Sequence, residues 1–482
     1  MFKKIMYRNT IIINPEQMNN QIRSSLIVML AIIFITLGCK QEKHQAYRSF
    51  GKIDYPVTSD EIAMLDSIQY KTFLYFINEY DPEKGIIKDR SASWAPASIA
   101  ATGFGIPSYA VGVERQWITR KEAADITLRM LNFFANSVQS SDTNATGYKG
   151  FYYHFLGMNT GTRVWNCELS TIDTGLLMLG IIFARNYYNL NNEVEKQIRL
   201  LSEMLLMRME WDFVLMADTS VHPNTITMGW TPEKGYINYG WSGYNEGLFL
   251  YILAAGTGME DVEKSYDAWL SGYKWHTPYD GLSHVAFPPL FGHQFSHAFI
   301  DFRGLADKYM REKEIDYFEN SRRATYVQRQ YAVDNPKGWI GYDSLCWGIT
   351  ASDGPGEQYN FDDKQFIAYA GRGTSGPEFN HFDDGTIAPY GPLSSLPFAP
   401  EIVLPTIKSI NARYGSKIWD KYGYLDSFNP TADWVNSDYI GIDQGPMLIM
   451  IENFRTGLIW NHVMKDPIIQ NGLHILGFQY LN

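Results

Sequence analysis

The chain has 482 residues, enough for one large domain or several smaller ones, and its hydrophobic content of 45% is that of an ordinary globular protein. The formal net charge of −11 at pH 7 argues against nucleic acid or an anionic lipid surface as a partner and suits a neutral substrate. Aromatic residues make up 15% of the chain, an excess that can fill a core or line a groove in which sugar rings stack on their apolar faces.

The N-terminus is typical of an exported lipoprotein. The almost wholly apolar run of residues 26–37 follows Arg23, has the length of the hydrophobic region of a signal peptide, and is short for a membrane span. It leads into the tetrapeptide TLGC at residues 36–39, which resembles a bacterial lipobox. In such a motif a signal peptidase cuts before the cysteine and the thiol is acylated, so we expect a lipid on Cys39. The alternative is an uncleaved N-terminal anchor that contains a cysteine by chance.

This interpretation separates the N-terminus from the rest of the chain. Residues 1–38 are predicted to be a lipoprotein signal peptide, with Met18 as a second candidate start of translation, and residues 39–57 a polar tether. Removal of the signal peptide takes away more basic than acidic residues and leaves the mature chain more acidic still. We expect the protein to be anchored to the cell envelope through Cys39, on the periplasmic face or on the outer-membrane surface.

The sequence offers little for a disulfide framework or a metal site. Beyond Cys39 only Cys167 and Cys346 remain, which give neither a set of disulfides nor the spacing of zinc ligands. His293 and His297 are four residues apart, a spacing that could place two ligands on one helix face. No acidic companion motif supports a metal there, so we predict none.

Helical periodicity dominates from residue 58 onward. Thr58 with Glu61, and Thr119 with Glu122, form capping-box patterns ahead of apolar residues at helical spacing. Further helices are predicted at residues 168–189, 192–209, 243–256, 260–272, 289–306, 312–333, 398–413, 443–462 and 465–475, with weaker candidates at 98–112 and 362–370.

The arrangement of these helices indicates the fold class. They follow one another in pairs joined by loops rich in Gly, Trp, Tyr and Asp, which suits either an α-solenoid or a closed ring of hairpins. A solenoid should show a repeating sequence period, and none is evident. We therefore predict an all-α (α/α)6 toroid over residues 58–482, with a cleft at one end. Short hairpins are expected in the loops around residues 84–90 and 148–165.

Three acidic residues stand at the starts of predicted buried helices, whose ends would face a common cavity. Glu246 precedes a strongly apolar run, and apolar walls would raise its pKa as a general acid requires. Asp173 opens one very apolar helix and Asp443 another. Capping of the helix end is the alternative for each. All three are candidate catalytic residues.

Other side chains in the predicted loops suit sugar binding. Trp230 and Trp347 each stand beside a glycine, where an indole could stack on a sugar, although either could equally belong to the core. Residues 351–355 and 381–386 are typical of loops at the rim of a cleft. The candidate substrate-binding residues are Asp89, Arg90, Glu168, Trp230, Trp241, Tyr244, Asn245, His293, Trp347 and Asp384. Signature motifs of lipases, NTPases and dinucleotide-dependent enzymes are absent from the sequence.

Six segments, in the same order, resemble the bacterial glucoamylase-like domain used in glycoside hydrolase family 144, the β-1,2-glucanases. They are residues 80–90, 98–115, 168–180, 241–254, 382–400 and 437–457, and the resemblance extends over about residues 60–475. It implies an (α/α)6 barrel and hydrolysis of β-1,2-linked glucan or its oligosaccharides with inversion at the anomeric carbon. It also implies that no metal or organic cofactor takes part.

The resemblance further implies roles for individual acids. In the family, a glutamate in a Tyr-Asn-Glu segment acts as the general acid, which here is Glu246. For the general base, Asp443 is the first choice, Asp173 the second, and Asp438 a further candidate.

Two alternatives remain open at the level of sequence. The same helical scaffold could carry an α-glucosidase or a polysaccharide lyase, although a lyase would favour a basic cleft for its anionic substrate. A non-catalytic glycan-binding lipoprotein would keep the aromatic loops without needing Glu246 and an acid across the cleft. We expect the protein to be a monomer under each of these interpretations.

Overall fold

Residues 55–361, 363–379 and 381–481 are described by a computed structural model of the chain. The predicted signal peptide, the lipidation site Cys39 and nearly all of the predicted tether lie outside the described residues. Among the described residues, no helix combines the length and the apolar character that crossing a membrane requires. All described residues fall within one unit of the chain, Ser49–Asn482.

Helices account for most of the regular structure. In chain order they are α1 (Ser59–Asn78), α2 (Ile99–Glu114), α3 (Arg120–Asn136), α4 (Thr171–Tyr187), α5 (Glu193–Met207), α6 (Leu248–Gly256), α7 (Val262–Ser271), α8 (Phe295–Phe299), α9 (Lys308–Glu312), α10 (Tyr317–Asp334), α11 (Tyr390–Ser394), α12 (Pro400–Ile418), α13 (Gly441–Arg455), α14 (Leu458–Val463) and α15 (Pro467–Ile475). The capping boxes predicted before α1 and α3 are both confirmed.

An inner ring consists of α2, α4, α6, α8, α11 and α13. The long inner helices are buried on nearly every face, which explains why their sequences are apolar all round. Helix α2 packs between α4 and α13, α4 also contacts α6 and α8, and α11 contacts α13. The ring closes where the Ser296 hydroxyl of α8 donates to the Glu246 carbonyl, just before α6.

An outer ring consists of α1, α3, α5, α7, α10 and α12. Helix α3 packs on α5, α5 on α4, α7 on α6, α12 on α11, and α1 on α13. Most outer helices bury one stripe of apolar residues and expose the opposite face. The fold is the (α/α)6 toroid predicted from the sequence.

Helices α2 and α4 approach each other more closely than ordinary helix pairs can. A Cβ atom on Gly103 would lie 2.6 Å from the Leu176 carbonyl oxygen, and one on Gly180 would lie 2.2 Å from the Gly103 carbonyl oxygen. Only glycine fits at either position. The contact fixes α4, and the side chains at its start, against α2.

The strands are short and lie in the connecting loops. They are β1 (Ala97–Ser98), β2 (Gly147–Tyr148), β3 (Phe151–Tyr153), β4 (Phe155–Leu156), β5 (Leu169–Ser170), β6 (Gly229–Thr231), β7 (Gly235–Tyr236), β8 (Trp275–His276), β9 (His284–Val285), β10 (Leu305–Ala306), β11 (Ala351–Ser352), β12 (Ala370–Gly371), β13 (Trp419–Asp420), β14 (Gly423–Tyr424), β15 (Phe428–Asn429), β16 (Trp434–Val435) and β17 (Gln479–Tyr480). The hairpins expected near residues 84–90 and 148–165 are present.

The largest sheet is antiparallel, with strand order β2-β3-β5-β6-β7. Its register pairs Tyr152 with Ser170 and Leu169 with Trp230. Because β5 runs directly into α4, the sheet holds the first turn of that helix in place. Asp173 lies in that turn.

Two predicted helices are wrong in detail. The helix predicted over residues 289–306 is a 3-10 turn followed by α8, which ends at Phe299. Beyond it the Asp301 carboxylate accepts from the Arg303 N–H, a local turn that competes with the helix. The predicted helix 362–370 is not formed among its described residues. There the backbone N–H groups of Phe366 and Ile367 donate to side chains instead.

Candidate active site

The N-terminal ends of the inner helices meet around a cavity of about 650 Å³. Each inner helix contributes lining residues at its start: Ser98 before α2, Asp173 in α4, Glu246 before α6, Phe295 in α8, Tyr390 in α11 and Asp443 in α13. In a ring of helical hairpins the inner helices run in the same direction, so their first turns share one end. The structure thus brings together the three residues predicted to be catalytic.

Glu246 is an acid that holds its proton near neutral pH. Burial raises the pKa of its carboxyl to about 7, and the nearby charge of Asp173 adds to the effect. Its Oε2 atom is buried and has no hydrogen-bond partner among the described residues. Because an unpaired buried carboxylate is costly, the neutral form is favoured. A neutral carboxyl in a cavity can donate a proton to a bound ligand.

The turn before α6 positions Glu246. The Asn245 side-chain oxygen accepts from the Gly247 N–H at 2.8 Å, which closes the turn around the glutamate. Trp241 donates from its indole nitrogen to the Thr171 hydroxyl at 2.9 Å, which ties this turn to the start of α4. The Asn245 and Trp241 side chains therefore hold the turn that carries Glu246 in place.

Asp443 is paired with a second buried aspartate, Asp426. The two carboxyl groups are hydrogen-bonded to each other, which requires a proton on one of them. Burial, and then the charge of Asp426, raise the pKa of Asp443 well above its usual range. Burial likewise raises the pKa of Asp426 to about 6. The pair resembles other carboxyl pairs that share one proton because two adjacent charges repel.

One carboxylate oxygen of Asp426 is held by several hydrogen-bond donors. Its Oδ2 atom accepts from the Asp353 N–H at 2.9 Å, from the Ser427 hydroxyl at 3.2 Å and from the Asn436 amide at 3.4 Å. Its Oδ1 atom has no N–H or hydroxyl donor among the described residues.

Arg90 supplies positive charge to this side of the cavity. Its guanidinium donates to the Asp353 carboxylate at 2.8 Å and to that of Asp89 at 3.3 Å, and lies 3.7 Å from Asp438. Burial raises the pKa of Asp89, and the charge of Arg90 opposes that rise. Asp89 and Arg90, predicted to bind substrate, both line the cavity.

His154 lies between two acids, Glu168 and Asp173, near the junction of β5 and α4. Its Nδ1 atom lies 2.9 Å from Glu168 Oε1, and its Nε2 atom lies 3.6 Å from Asp173 Oδ2. Burial alone would lower the pKa of His154, but the charges of Asp173 and Glu168 raise it to about 9. The imidazole is therefore a cation at neutral pH.

These three side chains are also a group with the geometry to hold a metal ion, since their ligand atoms lie within 4.8 Å of one another. A metal-bound histidine must be neutral, however, whereas the two carboxylates here hold the proton on His154.

Comparison with known proteins places the chain in a family. Residues 238–467 match the family model Glycoamylase, described as putative glucoamylase. The crystal structure of a putative glucoamylase from Bacteroides uniformis is 31% identical, matches 89% of this chain and 100% of that one, and has a TM-score of 0.76. The chain belongs to this glucoamylase-like family. The resemblance identified from the sequence is confirmed.

Other relatives of this glucoamylase-like chain act on β-1,2-linked glucose. An endo-β-1,2-glucanase from Chitinophaga pinensis, solved with sophorotriose and glucose, is 26% identical over 88% of this chain and 99% of that one, with a TM-score of 0.74. An exo β-1,2-glucooligosaccharide sophorohydrolase from Parabacteroides distasonis is 28% identical over 453 residues. The match takes in 87% of the present chain but 58% of that relative's length.

The glucoamylase-like fold keeps several predicted binding residues away from the cavity. Trp347 is fully buried in a hydrophobic cluster that includes residues of α11, α12 and α13. Trp230 packs against Tyr148 and Phe213, with ring centroids 5.5 and 5.7 Å apart. A tryptophan beside a glycine indicates a close contact of the backbone, and that contact can lie in the core as well as in a cleft.

Three more predicted binding residues have structural partners. Tyr244 is buried and stacks on Tyr317, with ring centroids 5.9 Å apart. His293 is buried beside it, donates from Nε2 to the Phe287 carbonyl, and has its pKa lowered well below the usual range by burial. Asp384 is fully buried and pairs with Arg372. None of these three is among the described residues that line the cavity.

The sequence did not single out several residues that do line or support the cavity. They are Trp94, His154, Trp165 and Tyr369 in the lining, and Asp426 behind Asp443. Asp353 lies in the loop 351–355, which the sequence did indicate as part of the rim. Asp426 has no local signal, because it precedes the short strand β15 rather than a helix.

Proposed function

We propose that this protein is a glycoside hydrolase that cleaves β-1,2-linked glucan or its oligosaccharides by general acid–base catalysis. The observation that carries the proposal is the presence of Glu246, with a pKa of about 7, in one cavity with the Asp443–Asp426 pair. Where the environments of two carboxyl groups push their pKa values apart, one group can act as the acid and the other as the base. The linkage is inferred from the two relatives that act on β-1,2-linked glucose.

In the proposed reaction, Glu246 donates its proton to the glycosidic oxygen as the bond to the anomeric carbon breaks. The Asp443–Asp426 pair carries one proton and one negative charge, so it can accept a proton from the attacking water. A carboxyl pair with one shared proton activates water in this way in aspartic proteases. Asp173 is the second candidate for this role.

We propose that the reaction inverts the anomeric carbon. A retaining enzyme needs a free carboxylate as its nucleophile, and the proton shared between Asp443 and Asp426 makes that pair a poor one. An inverting enzyme needs only a base that holds water on the face opposite the acid. The anomer released first, observed by NMR before mutarotation, tests this step.

A substrate screen tests the proposed function. Purified protein is incubated with β-1,2-, β-1,3- and α-1,4-glucans, and the products are resolved by chain length. We expect hydrolysis of β-1,2-glucan, and a loss of about 10²–10⁴-fold in Glu246→Gln, because a general acid contributes a factor of that size. The matched control, Glu263→Gln on the exposed face of α7, should keep full activity.

Other results would overturn the proposal. Cleavage of α-1,4-glucan alone would make the protein an α-glucosidase-type enzyme. Binding of glucan without turnover, with equal affinity in wild type and Glu246→Gln, would make it a glycan-binding protein. Full activity of Glu246→Gln would remove Glu246 from the mechanism.

We further propose that the enzyme is tethered to the cell envelope by a lipid on Cys39. The support is the lipobox-like tetrapeptide at residues 36–39 after an apolar run. Cys39→Ser should abolish incorporation of labelled fatty acid and release the protein from the membrane fraction. Labelling of the Cys39→Ser protein would contradict the proposal.

A further inference from the structure

Two tryptophans at the opening of the cavity are exposed to solvent. Trp94 is 64% exposed and Trp165 is 58% exposed, yet both line the same cavity as Glu246 and Asp443. Large apolar side chains grouped on a surface usually mark a binding site. The position of this pair connects it to the proposed catalytic cavity.

The two indole rings form a platform that is partly open to solvent, and the Arg90 guanidinium lies over the Trp94 ring at 5.8 Å from its centroid. Their centroids are 6.0 Å apart and their planes meet at 46°. A sugar ring held between two parallel aromatic rings would need about 7–8 Å, twice the usual carbon–carbon contact distance. A ligand therefore packs on the platform, and its ring cannot enter between the indoles.

The backbone that presents Trp165 is strained. Trp165 and Asn166 both have positive φ values, 59° and 51°, a region that side-chain-bearing residues rarely occupy. Such strain persists where surrounding structure enforces it, and it is found at binding sites. Here Arg163 enforces it: the buried guanidinium donates to the Cys167 carbonyl at 2.6 Å and pairs with Glu233 at 2.7 Å.

The platform is continuous with the acidic centre of the cavity. Trp165 meets the ring of Phe155 edge to face at 5.3 Å, and Phe155 stacks on His154 at 3.9 Å. His154 in turn contacts Asp173. An aromatic wall thus leads from the exposed indoles to the carboxyl groups inside.

We propose that Trp94 and Trp165 form an outer subsite that binds a glucosyl ring of a glucan chain extending out of the cavity. This inference rests on the proposed function. The apolar face of a neutral hexose matches the exposed indoles, whereas an anionic sugar would meet the acidic cavity beneath. The subsite selects for chain length, because a short oligosaccharide bound within the cavity does not reach it.

The test measures affinity as a function of chain length, in a background with strongly reduced turnover. Glu246→Gln protein is titrated by calorimetry with a series of β-1,2-linked gluco-oligosaccharides from the disaccharide upward. Trp94→Ala and Trp165→Ala are each added to that background. We expect each to weaken the binding of long chains by on the order of tenfold, equivalent to one stacking contact, and to leave the shortest ligands unchanged.

Two further variants keep the test specific. Trp165→Phe retains an aromatic face and should restore most of the affinity, which a general defect of the strained loop would not allow. Tyr236→Ala removes a ring of similar exposure, 48%, outside the cavity lining and should have no effect. Equal losses for short and long chains, or no loss for long chains, would overturn the subsite.

Failure of the subsite can be told apart from failure of the proposed function. If wild-type protein neither binds nor cleaves β-1,2-glucan, the proposed function fails, and the same titrations are made with β-1,3- and α-1,4-linked series. A chain-length-dependent loss with either series would retain the platform as a subsite for a different neutral glucan. A loss of affinity that does not depend on chain length in any series would reject both the proposed function and the subsite.

Discussion

Asp426 and Asp443 share one hydrogen bond between two carboxyl groups at the cavity, although the residues lie on different elements. Asp426 is held by the backbone of Asp353, whose carboxylate in turn accepts from Arg90. The protonation of Asp443 therefore depends on a network that extends through Asp353 to the Arg90 guanidinium.

The rate should depend on pH as a narrow bell. The base form requires loss of a proton from the pair, so kcat/KM rises as the pH rises through about 6, the pKa of Asp426. The acid form requires the proton on Glu246, so kcat/KM falls as the pH rises through about 7. A pH–rate profile of the purified enzyme on glucan checks both limbs. A flat profile across this range would contradict the assignment.

Replacement of Asp426 should move the acidic limb of that bell. In Asp426→Asn the neighbouring negative charge is gone and an amide can donate to Asp443, so the pKa of Asp443 falls. Because the group assigned to the rising limb is removed, that limb of kcat/KM should change its position, while the falling limb stays in place. A purely structural role would lower kcat without moving either limb. Asp420→Asn, at an exposed position in β13, serves as the control.

His154 should stabilise the fold in a pH-dependent way. Its pKa is raised from 6.5 in the unfolded chain to about 9 in the folded one, so its contribution is complete below about 6.5 and is lost as the pH rises through about 9. Urea unfolding should show that wild type loses about 1–3 kcal/mol more than His154→Gln between these limits. Equal losses in both proteins would show that the imidazole is not held as a cation.

Asp384 should matter for stability and not for sugar binding. Its carboxylate and the Arg372 guanidinium are both fully buried and lie 2.7 Å apart. Asp384→Asn leaves a buried unpaired cation and should lower the free energy of unfolding by about 3–5 kcal/mol. Glucan affinity of the folded protein should remain that of wild type. Replacement of both partners, Arg372→Met with Asp384→Leu, should recover much of the loss.

The sequence predicted those parts of the site whose signal is local. Glu246, Asp173 and Asp443 each stand next to an apolar run, so an acid at the mouth of a buried helix could be read directly from the chain. The toroid likewise followed from the succession of paired helices without a repeating sequence period, and the resemblance to the glucoamylase-like domain implied the same fold.

Other parts depend on contacts between distant segments. Asp426 matters because the fold places it against Asp443 and Asp353, and nothing in its own neighbourhood indicates this. Trp347 and Trp165 both lie in loops, yet one is fully buried and the other is more than half exposed. Local composition cannot separate those two outcomes, because burial is decided by what packs on the loop.

The convergence of the inner helices on one cavity has an electrostatic consequence. Each long inner helix carries the equivalent of about half a positive charge at its N-terminus, and those ends point at the gathered carboxyl groups. The field comes from backbone dipoles buried in the ring, where dissolved ions screen it less than they would at the protein surface. The carboxyl groups of the cavity are thus partly balanced by the peptide backbone itself, and their titration should change little between low and high ionic strength.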